Sequence, residues 1–495
     1  VNRMSLKVLL DVEIPSHRKR IEYVLKNFSL LYKVDLNFVN SYEEVSGEEL
    51  FIFYGEDFKD EGKGIFIRKS ELAIELFEGR KAYDEVLDVA SVHFVSLVAP
   101  MIPDEFGNFA LPVFFKTGEP VFEIENNKIN FDILSCAFYF LSSWDERVKN
   151  KKDEIGRFPD DENLLVKLGV SNFPIVNFYF HVLKFFIEKS GFNVDNRKWN
   201  GKTFSVCLTH DVDVLRKWSA FGVYNEVMNK FIMGREDIQA RRERFAKFIY
   251  FFAKGEDPYR VGMKKLIEFE KSQGVKSTFF LKSGRTSKYD ARYKWDKFFL
   301  DFVDDLKRSG FEIALHPSFE TFNSFELMKE EKLKLENFIN LKVNGVRQHY
   351  LRYDFKITPS IHDGLNFKYD STLGFNLRQG FRCGYAFPYK IYDVEKNVEL
   401  EVYEIPLVFM DAVYQYGRSS KGIEEILVEV VNLAKVVKSF GGVFTVLFHN
   451  FVYDEFDFKG WDFIYEEFLK FAINSDAFVG SCSEILDLFE SEWIS

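Results

Sequence analysis

Cysteine is scarce in this chain of 495 residues: only Cys136, Cys207, Cys383 and Cys482, widely separated and with no CxxC pair. That spacing excludes a disulfide framework and a cysteine zinc site, and four reduced thiols are expected. Proline is sparse as well, at 12 residues, and the absence of any low-complexity tract argues against long disorder. There is no excess of positive charge, since 66 Lys and Arg stand against 77 Asp and Glu for a net charge of −11. Nucleic-acid binding needs clustered cations to neutralise phosphates, so no nucleic-acid partner is expected. No apolar run reaches the roughly 18 residues that span a bilayer. The opening VNRMSLKVLLDVEIP has a brief apolar stretch followed at once by acids, which does not read as a secretory leader. A cytoplasmic protein is the expectation.

Apolar mass is what the chain has in quantity. Hydrophobic residues make up 46% of it, with 58 Phe and 23 Tyr, which suits a large core filled by aromatic rings. The length allows roughly three domain-sized units, or two if one is a barrel.

The pattern divides near residue 200. Leu6–Val12 and Leu50–Tyr54 read as buried strands, and Arg18–Leu30 has helical periodicity. The segment FDILSCAFYFLSSWDER (131–147) carries a broad apolar helical face. DEIGRFP (153–159) reads as a loop broken by Gly156 and Pro159, and 162–190 as further buried helix. GFNVDNRKWNGK (191–202) is polar and aperiodic, the expected boundary between an N-terminal α/β domain (1–200) and a second domain (201–495).

Beyond it, short β-rich runs alternate with amphipathic helices. Strands are expected at Ser205–Leu208, Lys276–Leu281, Phe311–Leu315, Gly345–Val346, Glu404–Phe409 and Val443–Phe448. Helices are expected at Pro258–Glu270, Trp295–Arg308 and 325–339. Such alternation implies parallel β/α units, with chemistry at the carboxyl ends of the strands.

Polar residues suited to catalysis gather at those ends. SVCLTHDVD supplies His210, Asp211 and Asp213, and FEIALHPS supplies His316. GVRQHYLR carries Arg347, His349 and Arg352, while EIPLVFMD ends in Asp411 and VFTVLFHN in His449. Taken singly, each has an ordinary explanation as a hydrogen-bonded histidine, a helix cap or a salt-bridge arginine. Five strand ends converging on one face point instead to a site. Carboxylate plus imidazole is a ligand set for a divalent ion, zinc first, with cobalt, nickel or iron as alternatives. A second carboxylate can act as base and an opposing histidine as acid, which makes metal-assisted hydrolysis of an amide or ester the natural reaction class.

In order, THDVD, KSTFF, GFEIALHP, RQHY, EIPLVFMD and VLFHN resemble the polysaccharide deacetylase superfamily (carbohydrate esterase family 4, the NodB-homology fold) over about residues 203–455. FDILSCAFYFLSSWDER and DEIGRFP resemble the accessory domain that precedes the barrel in some bacterial members. The resemblance implies a distorted, partly open (β/α) barrel that removes N- or O-acetyl groups from a sugar or glycan. It implies Asp211 as base, Arg347 steadying it, Asp213 and His316 as metal ligands and His449 as acid. It also implies Asp411 orienting His449 and the backbone N–H of Tyr350 stabilising the oxyanion. The sequence departs from the family where the first motif reads Asp211-Val212-Asp213 rather than adjacent aspartates. Glu320 stands where the second motif has a histidine, and His349 where the third has proline. The third ligand is therefore His349, Glu320 or His210, with His349 favoured because it follows a strand.

The stretch 217–260 reads as an insertion with nine basic and six acidic residues, aromatics alternating with Arg241, Arg242, Arg244 and Lys247. It suits a lid or a peripheral membrane contact, or simply an amphipathic helix with a solvated basic face. GFRCGYAFPY (380–389) is by resemblance a loop near the substrate cleft, its rings free to stack on sugar or to pack in the core. Two other readings compete with the deacetylase: an inactive barrel that binds a glycan or partner protein, and a glycosidase, which would need two well-separated carboxylates.

Overall fold

The computed structural model describes residues 4–45, 47, 50–56, 64–87, 89–232, 237–415 and 419–494. Its N-terminal sheet is built from β1 (Met4–Leu10), β2 (Val34–Val39), β3 (Phe51–Gly55) and β4 (Ile65–Arg68). A separate hairpin, β5 (His93–Val98) and β6 (Asn108–Val113), precedes the last two strands, β7 (Phe122–Glu123) and β8 (Lys128–Ile129). The six-stranded order is β2-β1-β3-β4-β8-β7, parallel throughout except for the final pair. Parallel pairing buries both faces, which is why β3 is buried at every position and reads as one apolar run.

Helices differ from the sequence pattern where the backbone had to turn. The apolar stretch 131–147 forms two helices, Ile133–Leu141 and Trp144–Val148, because Ser143 adopts a left-handed conformation (φ 49°) between them. The expected helix 162–190 is likewise two, Leu164–Lys167 and Ile175–Lys189. Gly169 (φ 71°) and Pro174 interrupt it, a left-handed residue and a missing N–H that no continuous helix accommodates.

The second sheet contains β9 (Phe204–Val212), β10 (Thr278–Leu281), β11 (Glu312–Leu315), β12 (Gly345–Val346) and β13 (Tyr369–Asp370). It continues with β14 (Tyr389–Asp393), β15 (Val398–Glu404), β16 (Leu407–Met410), β17 (Val443–Leu447) and β18 (Ala477–Gly480). Its order is β14-β15-β13-β12-β11-β10-β9-β17-β16, with β18 also paired to β9, and only the β14–β15 pair is antiparallel. This is a curled half-barrel rather than a closed ring. The expected strand 404–409 is split because Pro406 cannot donate to a ladder, so β15 ends and β16 begins on either side of it. β9 is longer than expected, and His210 and Asp211 lie inside it.

The two sheets share a core. One apolar cluster runs from Leu6, Phe28 and Phe138 of the N-terminal half to Phe280, Tyr369 and Phe387 of the second sheet. The polar stretch 191–202, expected as a domain boundary, is anchored to the core by Val194, Arg197 and Trp199, which are buried. Trp199 is fully buried and gives its indole N–H to Gly441 O (2.7 Å), while the Arg197 guanidinium donates to Leu30 O and Leu488 O. Segment 380–389 is core rather than cleft lining: Phe381 and Tyr385 are buried, and Arg382 pairs with Glu146 of the N-terminal half (2.5 Å). Cys207 and Cys482, distant in sequence, place their sulfurs 3.3 Å apart in this core.

In the insertion, Ile238–Lys254 is a helix with Asp237 as its N-cap. Arg244 faces inward, pairing with Glu226 and Asp457, so the basic face is not wholly solvated. Phe245, Ile249 and Phe252 are exposed on the same helix. Among the described residues no helix is long and apolar enough to cross a membrane.

Candidate active site

The carboxyl ends of β9, β11, β12, β16 and β17 meet at a cleft of about 330 Å³ lined by Asp211, Asp213, His316, His349, Tyr350 and His449. The sheet register explains the meeting. β9 runs parallel between β10 and β17, so residues leaving each strand in the same direction reach one rim.

Three side chains form a candidate ligand set. Asp213, His316 and His349 each offer one atom, all within 4.8 Å of one another. Asp213 Oδ1 lies 3.2 Å from His316 Nε2 and 3.5 Å from His349 Nε2, yet it is a buried oxygen with no well-directed hydrogen bond. Bonds of about 2.0–2.2 Å around a tetrahedral ion give ligand–ligand edges of about 3.3–3.6 Å, so the spacing fits a zinc-like cation. Both histidines are turned to offer Nε2. His316 Nδ1 is 2.7 Å from Arg347 O, and His349 Nδ1 is 2.9 Å from Asp290 Oδ1. Those partners place the ring proton on Nδ1 and leave the Nε2 lone pair directed at the site. Burial pushes His349 down to about 4, against the pull of Asp213 and Asp290, so its imidazole is neutral at pH 7. Burial raises Asp213, but Lys282, His349 and His316 outweigh it and hold this carboxyl well below the usual carboxylate range.

The other two candidates for the third ligand point elsewhere. Glu320 pairs with Arg352 at 3.0 Å on the protein surface. His210 is fully buried behind β9, hydrogen-bonded to Glu270 Oε1 (2.7 Å) and Phe448 O (2.8 Å).

Two pairs flank the ligand set. Arg347, wholly buried, donates to Asp211 Oδ1 (3.0 Å) and is itself fixed by Thr209 Oγ1, Ser371 O and Ser371 Oγ. Asp211 Oδ1 is thereby occupied, and Asp211 Oδ2 lies 3.7 Å from His316 Nε2. Opposite, His449 Nδ1 is 2.5 Å from Asp411 Oδ1, and the His449 backbone N–H donates to Asp411 Oδ2 at 2.8 Å. Burial disfavours the His449 imidazolium, but Asp411, Asp213 and Asp211 overcome it and raise the group to about 9. Tyr350 and Leu351 are consecutive left-handed residues (φ 60° and 53°) that turn the chain at the cleft. Strain of this kind persists only where packing enforces it.

Sequence reasoning missed four residues. Lys282, buried at the end of β10, places Nζ 2.8 Å from His349 Nε2 and 3.3 Å from Asp213 Oδ1. The strand-end rule that found the histidines applies equally to KSTFFLK. Asp290 carries no strand-end signal, since it lies in a loop and is caught only by its bond to His349. Asn376 and Arg157 also line the cleft, and Arg157 arrives from DEIGRFP of the N-terminal half.

Residues 10–191 match DUF7033, described as a family of unknown function. No curated protein matches the chain. Solved structures similar to it include a polysaccharide deacetylase from Mycobacterium smegmatis, at 18% identity and TM-score 0.40, covering 60% of this chain and 93% of that one. The PuuE allantoinase is similar at 10% identity and TM-score 0.40, covering 59% and 91%. A carbohydrate esterase family 4 pseudoenzyme from Bacillus anthracis is similar at 15% identity and TM-score 0.31, covering 57% and 66%.

Proposed function

We propose that this cleft removes an acyl group, acetyl foremost, from a carbohydrate by metal-assisted hydrolysis. The observation that carries the reading is the pair of Nε2 atoms freed toward Asp213, with an Asp–Arg pair on one side and a His–Asp pair on the other. Asp213, His316 and His349 would hold the ion, which when bound supplies Lewis-acid polarisation of water and of the acyl carbonyl. Asp211, held in place by Arg347, takes the proton of the attacking water. The tetrahedral oxyanion forms beside the Tyr350 backbone N–H. His449 holds a proton on Nε2 and gives it to the departing sugar nitrogen or oxygen, while Asp411 steadies the resulting imidazole in the correct tautomer.

The second reading is a deacetylase-like barrel that binds a glycan without turnover. It is favoured by Lys282, whose ammonium hydrogen-bonds the same His349 lone pair an ion would use. One experiment separates the two. Metal content by mass spectrometry, together with acetate release from a panel of acetylated sugars, is measured on the wild type and on Asp213→Ala/His316→Ala. One ion per chain and acetate release, both lost in the variant, support hydrolysis. A wild type that stays metal-free after incubation with zinc, cobalt and nickel supports the binder.

A further inference from the structure

We propose that the substrate carries an anionic substituent, a carboxylate or a phosphate, and that Arg157 of the N-terminal half binds it. The proposal rests on the carbohydrate reading for the rest of the ligand. The loop 153–157 is constructed to present this one guanidinium. Asp153 Oδ1 accepts the backbone N–H groups of Ile155 (3.0 Å) and Arg157 (2.8 Å), and Asp153 Oδ2 accepts Arg157 Nε (2.8 Å). Between them Gly156 takes φ 84°, and a Cβ there would stand 3.3 Å from Arg352 Nη2 on the second domain, so the turn suits glycine on two counts. Arg157 Nη1 then crosses the seam between the halves, donating to Asn376 Oδ1 (2.8 Å) and Tyr350 O (3.3 Å).

Those contacts use Nε and Nη1. Nη2 makes no hydrogen bond among the described residues, and the side chain lines the cleft. A charged N–H donor immobilised in advance loses little rotamer freedom on binding, and its hydrogen bond to an oxyanion is charge-assisted. The carboxylates at the ligand end are already matched by cations, Asp211 by Arg347 at 3.0 Å and Asp213 by Lys282 at 3.3 Å, and Arg157 brings a further guanidinium to the cleft. An anion held by it makes the N-terminal half a selector of substrate.

The test is calorimetric binding to the full-length, zinc-loaded protein of three probes: N-acetylglucosamine, N-acetylmuramic acid and N-acetylglucosamine 6-phosphate. Acetate release is recorded in parallel. The wild type is expected to bind at least one anionic sugar about tenfold or more tighter than the neutral one, the carboxylate and phosphate arms distinguishing the source. Arg157→Met should bring the ratio to within about twofold, and Arg157→Lys should retain part of it. Arg378→Ala, which removes an arginine paired with Asp161 at the same seam but outside the cleft, should leave the ratio intact. Equal affinity for all three probes in the wild type, or a preference that survives Arg157→Met, overturns the proposal. Acetate release without anion preference sinks this inference and keeps the hydrolase. Anion preference without acetate does the reverse.

Discussion

Lys282 and His449 set the electrostatic character of the cleft with opposite consequences. Lys282 brings a fixed positive charge to within 3.3 Å of the carboxylate that would ligate a cation. Replacing it with methionine of similar length removes that repulsion and frees the His349 lone pair, so Lys282→Met should bind zinc at least about tenfold more tightly in a chelator competition. His449 is the reverse case, a cation favoured by its carboxylate neighbours. Its value in the unfolded chain is the ordinary 6.5, and the fold raises it to about 9. The folded protein therefore binds an extra proton between those values. The stability this contributes is complete below pH 6.5 and lost as pH rises through 9. In chelator-treated protein the His449 ring should titrate near pH 9 by NMR, and in Asp411→Asn at lower pH. The same substitution should reduce kcat about 10²–10³-fold with bound metal unchanged. Much of this site was legible one residue at a time, because strand ends in a parallel sheet converge and polar residues there stand out against an apolar chain. Asp290 and Arg157 were not legible, since each reaches the cleft through a loop whose path the sequence does not encode as a period.

At the scale of elements, the insertion helix is held by charge more than by burial. Arg244 and Lys217 converge on Asp457, which accepts from both, at 2.8 and 2.5 Å. Burial raises this carboxyl, but the two cations hold it far below its ordinary range. A depressed carboxylate stabilises the fold above the unfolded value and loses that contribution as pH falls, so detachment should begin below about pH 4. Limited proteolysis is expected to cut within Ile238–Lys254 faster at pH 3 than at pH 7, and Asp457→Asn should show the faster cutting already at pH 7. Helix 325–339 was readable to the residue, and the structure caps it with Ser324 and ends it at a left-handed Asn340. The break at Gly169 and Pro174 was signalled by those residues too, but uniform burial on both sides hid it, because a helix apolar all round gives no period to interrupt.

For the molecule as a whole, the junction decides how the halves behave. Arg197 and Trp199 fasten the two halves together where polar composition suggested a domain boundary. The sequence reads polarity as exposure, yet this guanidinium is accommodated in the interior because the carbonyls of Leu30, Leu488 and Phe489 accept its N–H groups. Thermal unfolding should therefore be a single transition shared by both halves. Trp199→Ala, which empties a fully buried site, should lower that transition by the equivalent of about 3–5 kcal/mol without splitting it. Two separate transitions in the wild type by calorimetry would refute the shared core.

The pairing of β9 also imposes an order on biosynthesis. Residues Phe204–Cys207 lie between β17 and β18, and neither partner exists until residue 443 or later has been translated. At about 5–20 residues per second, Asp211 and the strand behind it wait roughly 12–46 s on the ribosome with an uncovered apolar edge. A nascent chain stalled anywhere before β17 presents that edge to other chains, so holdase chaperones should matter more to the yield of this protein than to its final stability.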